Sequence, residues 1–398
     1  MKQKTLAVVT GTRAEYGLLR PVIQKLLQCS EITPKILVTG AHLAAEYGNT
    51  VSEIEKDDIP IAAKIPILKF GQGELATLQT VAYTIQQFGQ WFAQHKPDAV
   101  LVLGDRYEIF AVAQAAAMLQ IPIAHISGGD VTLGAADDYY RHCITKMAHL
   151  HFPSCQIYAD RVIRMGEQPD TVFNVGGLGD ENIRTMQKMS RQQLSDSLQF
   201  DLSEDFGLVT FHPETAGEVR PTQQVAELLQ AMEQIGAVRP IKWLITKANA
   251  DAGGAAINKM LDEWVKQHKG QAIAFTSLGV VRYLSAMQYA AVVVGNSSSG
   301  VVETPTFGVP AVNIGQRQAG RIICDNVICC EAKQQPIFQA LQTALGKEFA
   351  QTAHKTVSPY NGGETSRRIV EILCREMAKP EFGAPKRFYD GPQNEGNV

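Results

Sequence analysis

Residues 99–152 read AVLVLGDRYEIFAVAQAAAMLQIPIAHISGGDVTLGAADDYYRHCITKMAHLHF. Two apolar runs, 99–103 and 121–126, are predicted strands; a GDR turn follows the first and an SGGD turn the second. The Ala-rich segment 109–119 suits a helix that crosses over between them, so the two strands would run parallel. Ligands bind outside the carboxyl ends of the strands in open parallel sheets. The stretch therefore predicts an α/β domain with a site at this edge.

Acidic residues collect at the predicted edge. Asp105 and Asp130 lie in the two turns, and Asp137 and Asp138 precede a predicted helix, 139–150. Carboxylates near Arg and His side chains suit proton transfer on an anionic substrate. One of the paired acids could instead cap the helix. Because no HxxxH or clustered His–carboxylate spacing accompanies these acids, we predict no metal site.

The length, composition and net charge are those of an ordinary globular protein. A chain of 398 residues suggests two domains, and 45% hydrophobic with 19% charged residues excludes a disordered chain. A net charge of −3 argues against nucleic-acid binding. No apolar run reaches the length of a membrane span, and the first residues do not resemble a signal peptide. The seven cysteines, without a CxxC pair, indicate reduced thiols and a cytoplasmic location.

Strand and helix patterns alternate over residues 1–183, pause over a polar link, 184–204, and restart over 205–363. We predict two doubly wound, Rossmann-like α/β domains that face a cleft. Helix 364–379 would pack back on the first domain, and 380–398 would form a Pro/Gly-rich tail. The other predicted strands are 6–10, 35–39, 62–67 and 172–175 in the first domain, and 208–211, 241–246, 273–275, 291–294 and 311–314 in the second.

Two loops are candidates for phosphate binding. GTRAEYG at 11–17 follows the first strand but matches neither GxGxxG nor the Walker sequence, and Arg13 could clamp a phosphate. GNSSSG at 295–300 follows another predicted strand and would open a short helix that contains Glu303, one turn from its start. The alternatives are a solvent-facing Arg13 and a Ser-capped helix without a ligand.

His212 lies in the sequence HPET at the end of a second-domain strand, the position that Asp105 has in the first domain. A single loop histidine is commonly a surface residue. Because it would lie across the predicted cleft from the acids, we treat it as a candidate acid/base group.

At these residues the chain resembles the UDP-N-acetylglucosamine 2-epimerase family, and most closely its hydrolysing branch in bacterial sialic-acid synthesis. The matching stretches are TGTRAEYG, TGAHLAAEYGNT, VLGDRYEIF, GGDVTLGAADDYYRHCITKMAHLHF, FHPET, NADAGG, GNSSSGVVETP and NIGQRQAGR. The resemblance implies a GT-B fold. It places the family's acid/base residues on Asp105, Asp130, Asp138 or its neighbour Asp137, and His212. It places the nucleotide contacts on Arg13, Ser297, Ser298, Gly300 and Glu303. We add His42, Arg141 and Arg321 as candidate substrate-binding residues.

The resemblance also implies an activity, the conversion of UDP-N-acetylglucosamine and water to N-acetylmannosamine and UDP by elimination and hydration, without a cofactor. The expected partner is the UDP-sugar, and we expect a homo-oligomer, a dimer or a tetramer. The family commonly has Glu where this chain has Asp130. Alternatives are the same reaction on a 2,4-diacetamido-trideoxy sugar linked to UDP or GDP, a GT-B glycosyltransferase, and a silent sugar-nucleotide-binding protein.

Overall fold

The computed structural model describes residues 3–71, 73–132, 136–214, 220–248 and 253–392. Its chain divides into two compact units. The first unit comprises Met1–Val131, Ala135–Asn182 and Pro359–Val398, and the second comprises Thr132–Gly134 and Ile183–Ser358. The second unit is therefore inserted into the sequence of the first.

Each unit contains a six-stranded parallel sheet. The strand orders are β3-β2-β1-β4-β5-β6 and β12-β11-β10-β7-β8-β9. The first sheet consists of β1 (Lys4–Thr10), β2 (Ile32–Thr39), β3 (Ile61–Ile65), β4 (Ala99–Leu103), β5 (Ile123–Ile126) and β6 (Leu150–Phe152). The second consists of β7 (Phe206–Thr210), β8 (Lys242–Thr246), β9 (Ala272–Phe275), β10 (Val292–Gly295), β11 (Ala311–Ile314) and β12 (Val327–Cys330).

In each sheet the strand order reverses at one place, the topological switch point. It lies between β1 and β4 in the first sheet and between β7 and β10 in the second. In doubly wound folds, ligands bind at this point, outside the carboxyl ends of the strands. Asp105, His212, Ser297 and Ser298 lie in the loops that follow β4, β7 and β10, and Arg13 begins the helix after β1. The predicted pair of doubly wound α/β domains is confirmed.

Helices cover both faces of each sheet. The first unit contains α1 (Arg13–Leu27), α2 (Val51–Lys56), α3 (Glu74–His95), α4 (Tyr107–Met118), α5 (Ala136–Met147), α6 (Gln156–Arg164), α7 (Leu178–Thr185, which extends into the second unit) and α16 (Thr365–Met377). The second contains α8 (Arg191–Leu198), α9 (Pro221–Val238), α10 (Gly254–Gln267), α11 (Gly279–Tyr289), α12 (Ser299–Val302), α13 (Thr304–Phe307), α14 (Gln334–Ala344) and α15 (Lys347–Lys355). Among the described residues, no helix has the length and apolar character that a membrane span requires.

Alternate residues of the strands supply two cores. In β1, Leu6 and Val8 pack in the cluster that includes α1 and α16, whereas Ala7 and Val9 pack in the cluster of α3 and α4. All four side chains are fully buried. This two-sided burial explains why the strands read as continuous apolar runs and not as alternating ones.

Several predicted elements differ from the structure. Helix α1 begins at Arg13, inside the predicted loop 11–17, because Thr12 and Glu15 form a capping box. Residue 150, the predicted end of helix 139–150, instead begins edge strand β6, and the predicted strand 172–175 contributes only a bridge from Val172 to His151. The predicted link contains α8, whose Leu194 and Leu198 are buried in a second-unit core.

The tail packs against the first unit at least as far as Tyr389. The main-chain N–H of Tyr389 donates to the carbonyl of Gly166 at 2.9 Å, and the Phe388 ring covers Gly166. Lys386 pairs with Glu167 at 2.6 Å. Glu167 also accepts hydrogen bonds from Lys146 at 2.6 Å and His151 at 3.0 Å. The Glu167 carboxylate, which is 2% exposed, is therefore neutralised partly by Lys386 of the tail.

Candidate functional site

A buried guanidinium organises the acids at the edge of the first sheet. Arg141, 5% exposed, extends from α5 and forms an ion pair with Asp105, which follows β4. Its Nη1 donates to the Asp138 carboxylate and to the main-chain carbonyl of Asp130, both at 2.8 Å. Three predicted acid/base residues from three loops or helices therefore meet one cation. Arg141, predicted as a substrate ligand, holds the acids in place.

The two neighbouring acids of α5 differ in environment. Asp138 also lies 3.7 Å from Nε2 of His142, whereas Asp137 is exposed. Partial desolvation, and then the nearby charge of Asp105, raise the pKa of Asp137. Neither acid is the N-cap, because α5 begins at Ala136 and both lie in its first turn, where the helix dipole favours a negative charge. Asp138 is the member of the pair that joins the cluster.

His125, which the sequence prediction did not select, supports the Asp105 turn. Its ring is fully buried on β5, and Nε2 lies 2.8 Å from the carbonyl of Gly104. A carbonyl only accepts, so Nε2 carries the proton. Burial lowers the pKa of His125 to about 3, and the ring is neutral at physiological pH. A histidine inside the apolar run IPIAHI was the signal for such a buried structural role.

In the loop after β1, the backbone donors expected for phosphate are already used. Oε2 of Glu15 accepts from the N–H groups of Gly11 at 2.7 Å and Thr12 at 3.1 Å. Burial, followed by the nearby charge of Glu108, raises the pKa of Glu15 to about 7. Arg13 is 61% exposed and forms a 3.0 Å ion pair with Glu53. Because exposed ion pairs are weak, Arg13 is the group of this loop that can move to an anion.

His42, predicted as a substrate ligand, is fully buried beside β1. Its Nε2 lies 3.1 Å from the hydroxyl of Thr10, and its Nδ1 lies 2.8 Å from that of Thr50. Burial lowers the pKa of His42 to about 4. These contacts suit a neutral ring that joins β1 to the loop before α2.

At the edge of the second sheet, Asn296 clamps the loop of His212. The fully buried Asn296 amide accepts from the His212 N–H at 2.7 Å and donates to the His212 carbonyl at 2.8 Å. The HPET segment is thereby tied to the Ser loop, 296–300. The family's NADAGG stretch falls largely on 249–252, outside the described residues.

The loop after β11 is fixed by Glu214, a residue that the sequence prediction did not select. Its Oε1 accepts from the N–H groups of Gln316 at 2.9 Å and Arg317 at 3.0 Å. The side chain of Gln318 donates to the carbonyl of Asn296 at 2.9 Å. Arg321, a predicted ligand, lies half-buried at the end of this loop.

The Ser loop departs from the expected single helix. Helix α12 is only four residues long, and Glu303 joins it to α13 instead of lying inside one helix. Burial raises the pKa of Glu303, and a hydrogen bond from Ser299 opposes that shift. Burial also raises the pKa of Tyr283, and the charge of Glu303 adds to it. Tyr283 was missed because it lies on α11, an apolar helix without a motif.

Open space adjoins the Ser loop at Gly300, where an added Cβ would meet no atom within 4 Å. Ser297 and Ser298 are half-buried beside it. The first unit thus holds Arg13, His42, Asp105, Asp130, Asp137, Asp138 and Arg141, and the second holds His212, Ser297, Ser298, Gly300, Glu303 and Arg321. The arrangement offers proton carriers at one sheet edge and small residues with a buried carboxyl at the other.

Comparison with known proteins finds relatives that match nearly the whole chain. The chain is 37% identical to the GDP/UDP-N,N'-diacetylbacillosamine 2-epimerase (hydrolyzing) of Campylobacter jejuni, covering 95% of this chain and 97% of that protein. It is 35% identical to the polysialic acid biosynthesis protein P7 of Escherichia coli, covering 98% of each.

The fold matches a solved structure, the UDP-GlcNAc 2-epimerase of Neisseria meningitidis bound to UDP-GlcNAc. The TM-score is 0.76, with 18% identity over 94% of this chain and 100% of that one. The family model of UDP-N-acetylglucosamine 2-epimerases matches residues 24–374. The chain therefore belongs to the UDP-N-acetylglucosamine 2-epimerase family.

Proposed function

We propose that the protein is a hydrolysing nucleotide-sugar 2-epimerase whose substrate is a 2,4-diacetamido-trideoxy sugar linked to UDP or GDP. The observation that carries the reaction type is the cluster of Asp105, Asp138 and the Asp130 main chain around Arg141. Support for the sugar comes from the 37% identical relative, whose name specifies such a substrate.

The chemistry explains why several carboxylates are needed. The proton on carbon 2 of an intact N-acetyl sugar is not acidic, but departure of the nucleotide from carbon 1 makes its removal feasible. Elimination then gives a glucal-type intermediate, and a proton returns to carbon 2 from the opposite face while water adds at carbon 1. Removal and return use more than one acid/base group. We assign these roles to Asp105, Asp130, Asp138 and His212, with Asp137 as the alternative to Asp138.

We assign binding of the nucleotide to other residues. The small side chains of Ser297, Ser298 and Gly300 leave room for a diphosphate, and the buried carboxyl of Glu303 can accept hydrogen bonds from ribose hydroxyls. Arg13 can clamp a phosphate with its planar guanidinium. We also retain Arg321 as a candidate anion ligand, and we propose that Arg141 and His42 act by positioning other groups.

A second candidate substrate is UDP-N-acetylglucosamine, which would give N-acetylmannosamine and UDP. It is favoured by the fold match to an enzyme named for that substrate and by the E. coli relative named for polysialic acid synthesis.

To test the proposal, purified protein is incubated in heavy water with each of three nucleotide sugars. These are the UDP-linked and the GDP-linked 2,4-diacetamido-trideoxy sugar and UDP-N-acetylglucosamine. We expect release of the nucleotide one-for-one with a free sugar carrying one deuterium at carbon 2, fastest for a diacetamido substrate. Asp105→Asn should slow the release by about 10²–10⁴-fold, and Asp170→Asn, at an exposed position of the same unit, is the matched control. Preference for UDP-N-acetylglucosamine would select the second candidate. Nucleotide release with an unlabelled carbon 2 would contradict the elimination mechanism.

A further inference from the structure

Two cysteines from opposite ends of the chain meet in the first unit. Sγ of Cys29, just after α1, lies 3.1 Å from Sγ of Cys374, in the last turn of α16, although 345 positions separate them in sequence. Both side chains are half-buried, so a small oxidant can reach them. The Cys29 thiol also lies 3.1 Å from the carboxylate of Glu31, which can accept its proton.

We propose that Cys29 and Cys374 form a reversible disulfide, which a peroxide produces and a thiol reductant removes, and which fastens α16 to α1. The inference is independent of the proposed enzymatic function. No other cysteine of the described chain is placed for such a bond in the same way: Cys329 and Cys330 are neighbours on β12, where successive side chains point to opposite faces.

Cys29, Glu31 and Cys374 could also be metal ligands, because their ligand atoms all lie within 4.8 Å of one another. They offer three protein ligands, whereas a structural zinc site has four. A disulfide needs only the two sulfurs, which lie 3.1 Å apart and would each move by about half an ångström to reach the S–S bond length of about 2.05 Å.

The reaction balances as two steps. The sulfur of Cys29 attacks one oxygen of a hydroperoxide, the thiol proton passes by way of Glu31 or water to the departing oxygen, and the O–O bond breaks to give Cys29 sulfenic acid and water or an alcohol. The sulfur of Cys374 then attacks the sulfenic sulfur, forms the S–S bond and releases water. The two thiols are oxidised and the peroxide is reduced. The Cys29 thiol hydrogen-bonds to the Glu31 carboxylate at 3.1 Å, which can relay its proton, and we therefore assign the first step to Cys29. Burial, and then the hydrogen bond with Cys29, raises the pKa of Cys374.

The bond would complete the attachment of α16. At the start of this helix, Ser366 donates from its N–H and its hydroxyl to the Glu181 carboxylate, at 2.6 and 2.7 Å. Cys374 lies at the other end of α16, away from the hydrogen bonds that Glu181 makes with Ser366. A cross-link there would restrict the unfolded chain through a very long loop, which raises stability.

The experiment treats the full-length protein with a small excess of hydrogen peroxide, alkylates the remaining thiols and digests with trypsin without reduction. We expect a disulfide-linked pair of peptides, 26–35 and 369–375, about 2 Da lighter than their sum. We also expect faster migration in a non-reducing gel and a higher Tm, both reversed by a reductant. Cys29→Ser and Cys374→Ser should each lose the linked pair, whereas Cys143→Ser, which removes an exposed thiol elsewhere, should keep it.

Accumulation of sulfinic acid on Cys29 while Cys374 stays open to alkylation would overturn the proposal. So would a linked pair that joins peptides of two different molecules, which a mixture of isotopically light and heavy protein detects.

Discussion

At Asp105, a carboxylate meets the buried Arg141 guanidinium, and substitution should separate catalysis from binding. We expect Asp105→Asn to lower kcat by about 10²–10⁴-fold, the usual contribution of a positioned acid/base group, and to leave the Kd for UDP nearly unchanged. Arg13→Ala should instead weaken UDP binding. Steady-state kinetics and isothermal titration measure the two effects. Equal loss of UDP binding in both variants would contradict the roles assigned to them.

A second prediction at this scale concerns Glu15. Its folded-state pKa of about 7 lies above the ordinary value of 4.5, so the folded protein holds this proton more tightly than the unfolded chain. That stabilisation is complete below about pH 4.5 and is lost as the pH rises through 7. Between about pH 5 and pH 8 the loss amounts to about 2–3 kcal/mol.

Glu15→Gln should remove this pH dependence, because the amide oxygen can still accept from Gly11 and Thr12 but binds no proton. Urea unfolding of both proteins at the two pH values gives the free energies. Glu381→Gln, at an exposed position, serves as the control and should follow the wild type. Parallel pH profiles for the wild type and Glu15→Gln would show that Glu15 does not titrate in this range.

At the scale of elements, the pairing of β7 with β10 depends on Gly295. Its φ is +138°, and an added Cβ would lie 1.9 Å from the carbonyl oxygen of Thr210. We expect Gly295→Ala to destabilise the second unit by about 2–5 kcal/mol through backbone strain and overpacking. Gly236→Ala in α9, where nothing lies within 4 Å, should be neutral or stabilising. An unchanged denaturant midpoint for Gly295→Ala would contradict this close approach of the two strands.

The elements that sequence reasoning found are those with long apolar runs. Strands β1, β4 and β10 are buried on both faces. The positions of Asp105 and the Ser loop were predicted from the carboxyl ends of β4 and β10. Strands β6 and β12 were missed because neither contains more than two consecutive aliphatic residues. Arg141 as the centre of the acids could not be predicted, because its contact with Asp105 spans 36 positions and depends on the packing of α5.

At the scale of the whole molecule, the first unit depends on residues near the chain's end. Truncation after Lys379 removes Lys386 and leaves buried Glu167 with fewer cationic partners. Loss of one charge-assisted hydrogen bond to a buried group costs about 1.5–3 kcal/mol. We therefore expect a Tm several degrees lower in thermal unfolding. Truncation after Asp390 keeps every tail contact described above and should melt like the full chain; equal melting of both truncations would contradict a stabilising tail.

The insertion of the second unit within the first has a consequence during synthesis on the ribosome. Helix α16 covers part of the core formed by α1, yet it is translated only after the intervening residues 183–358. At about 5–20 residues per second, that delay is roughly 10–35 s. Throughout this interval the nascent first unit lacks one of its core helices and exposes the apolar surface to be covered. Completion of the first unit is therefore vectorially coupled to translation of the second, and the interval is when a chaperone would recognise the emerging chain.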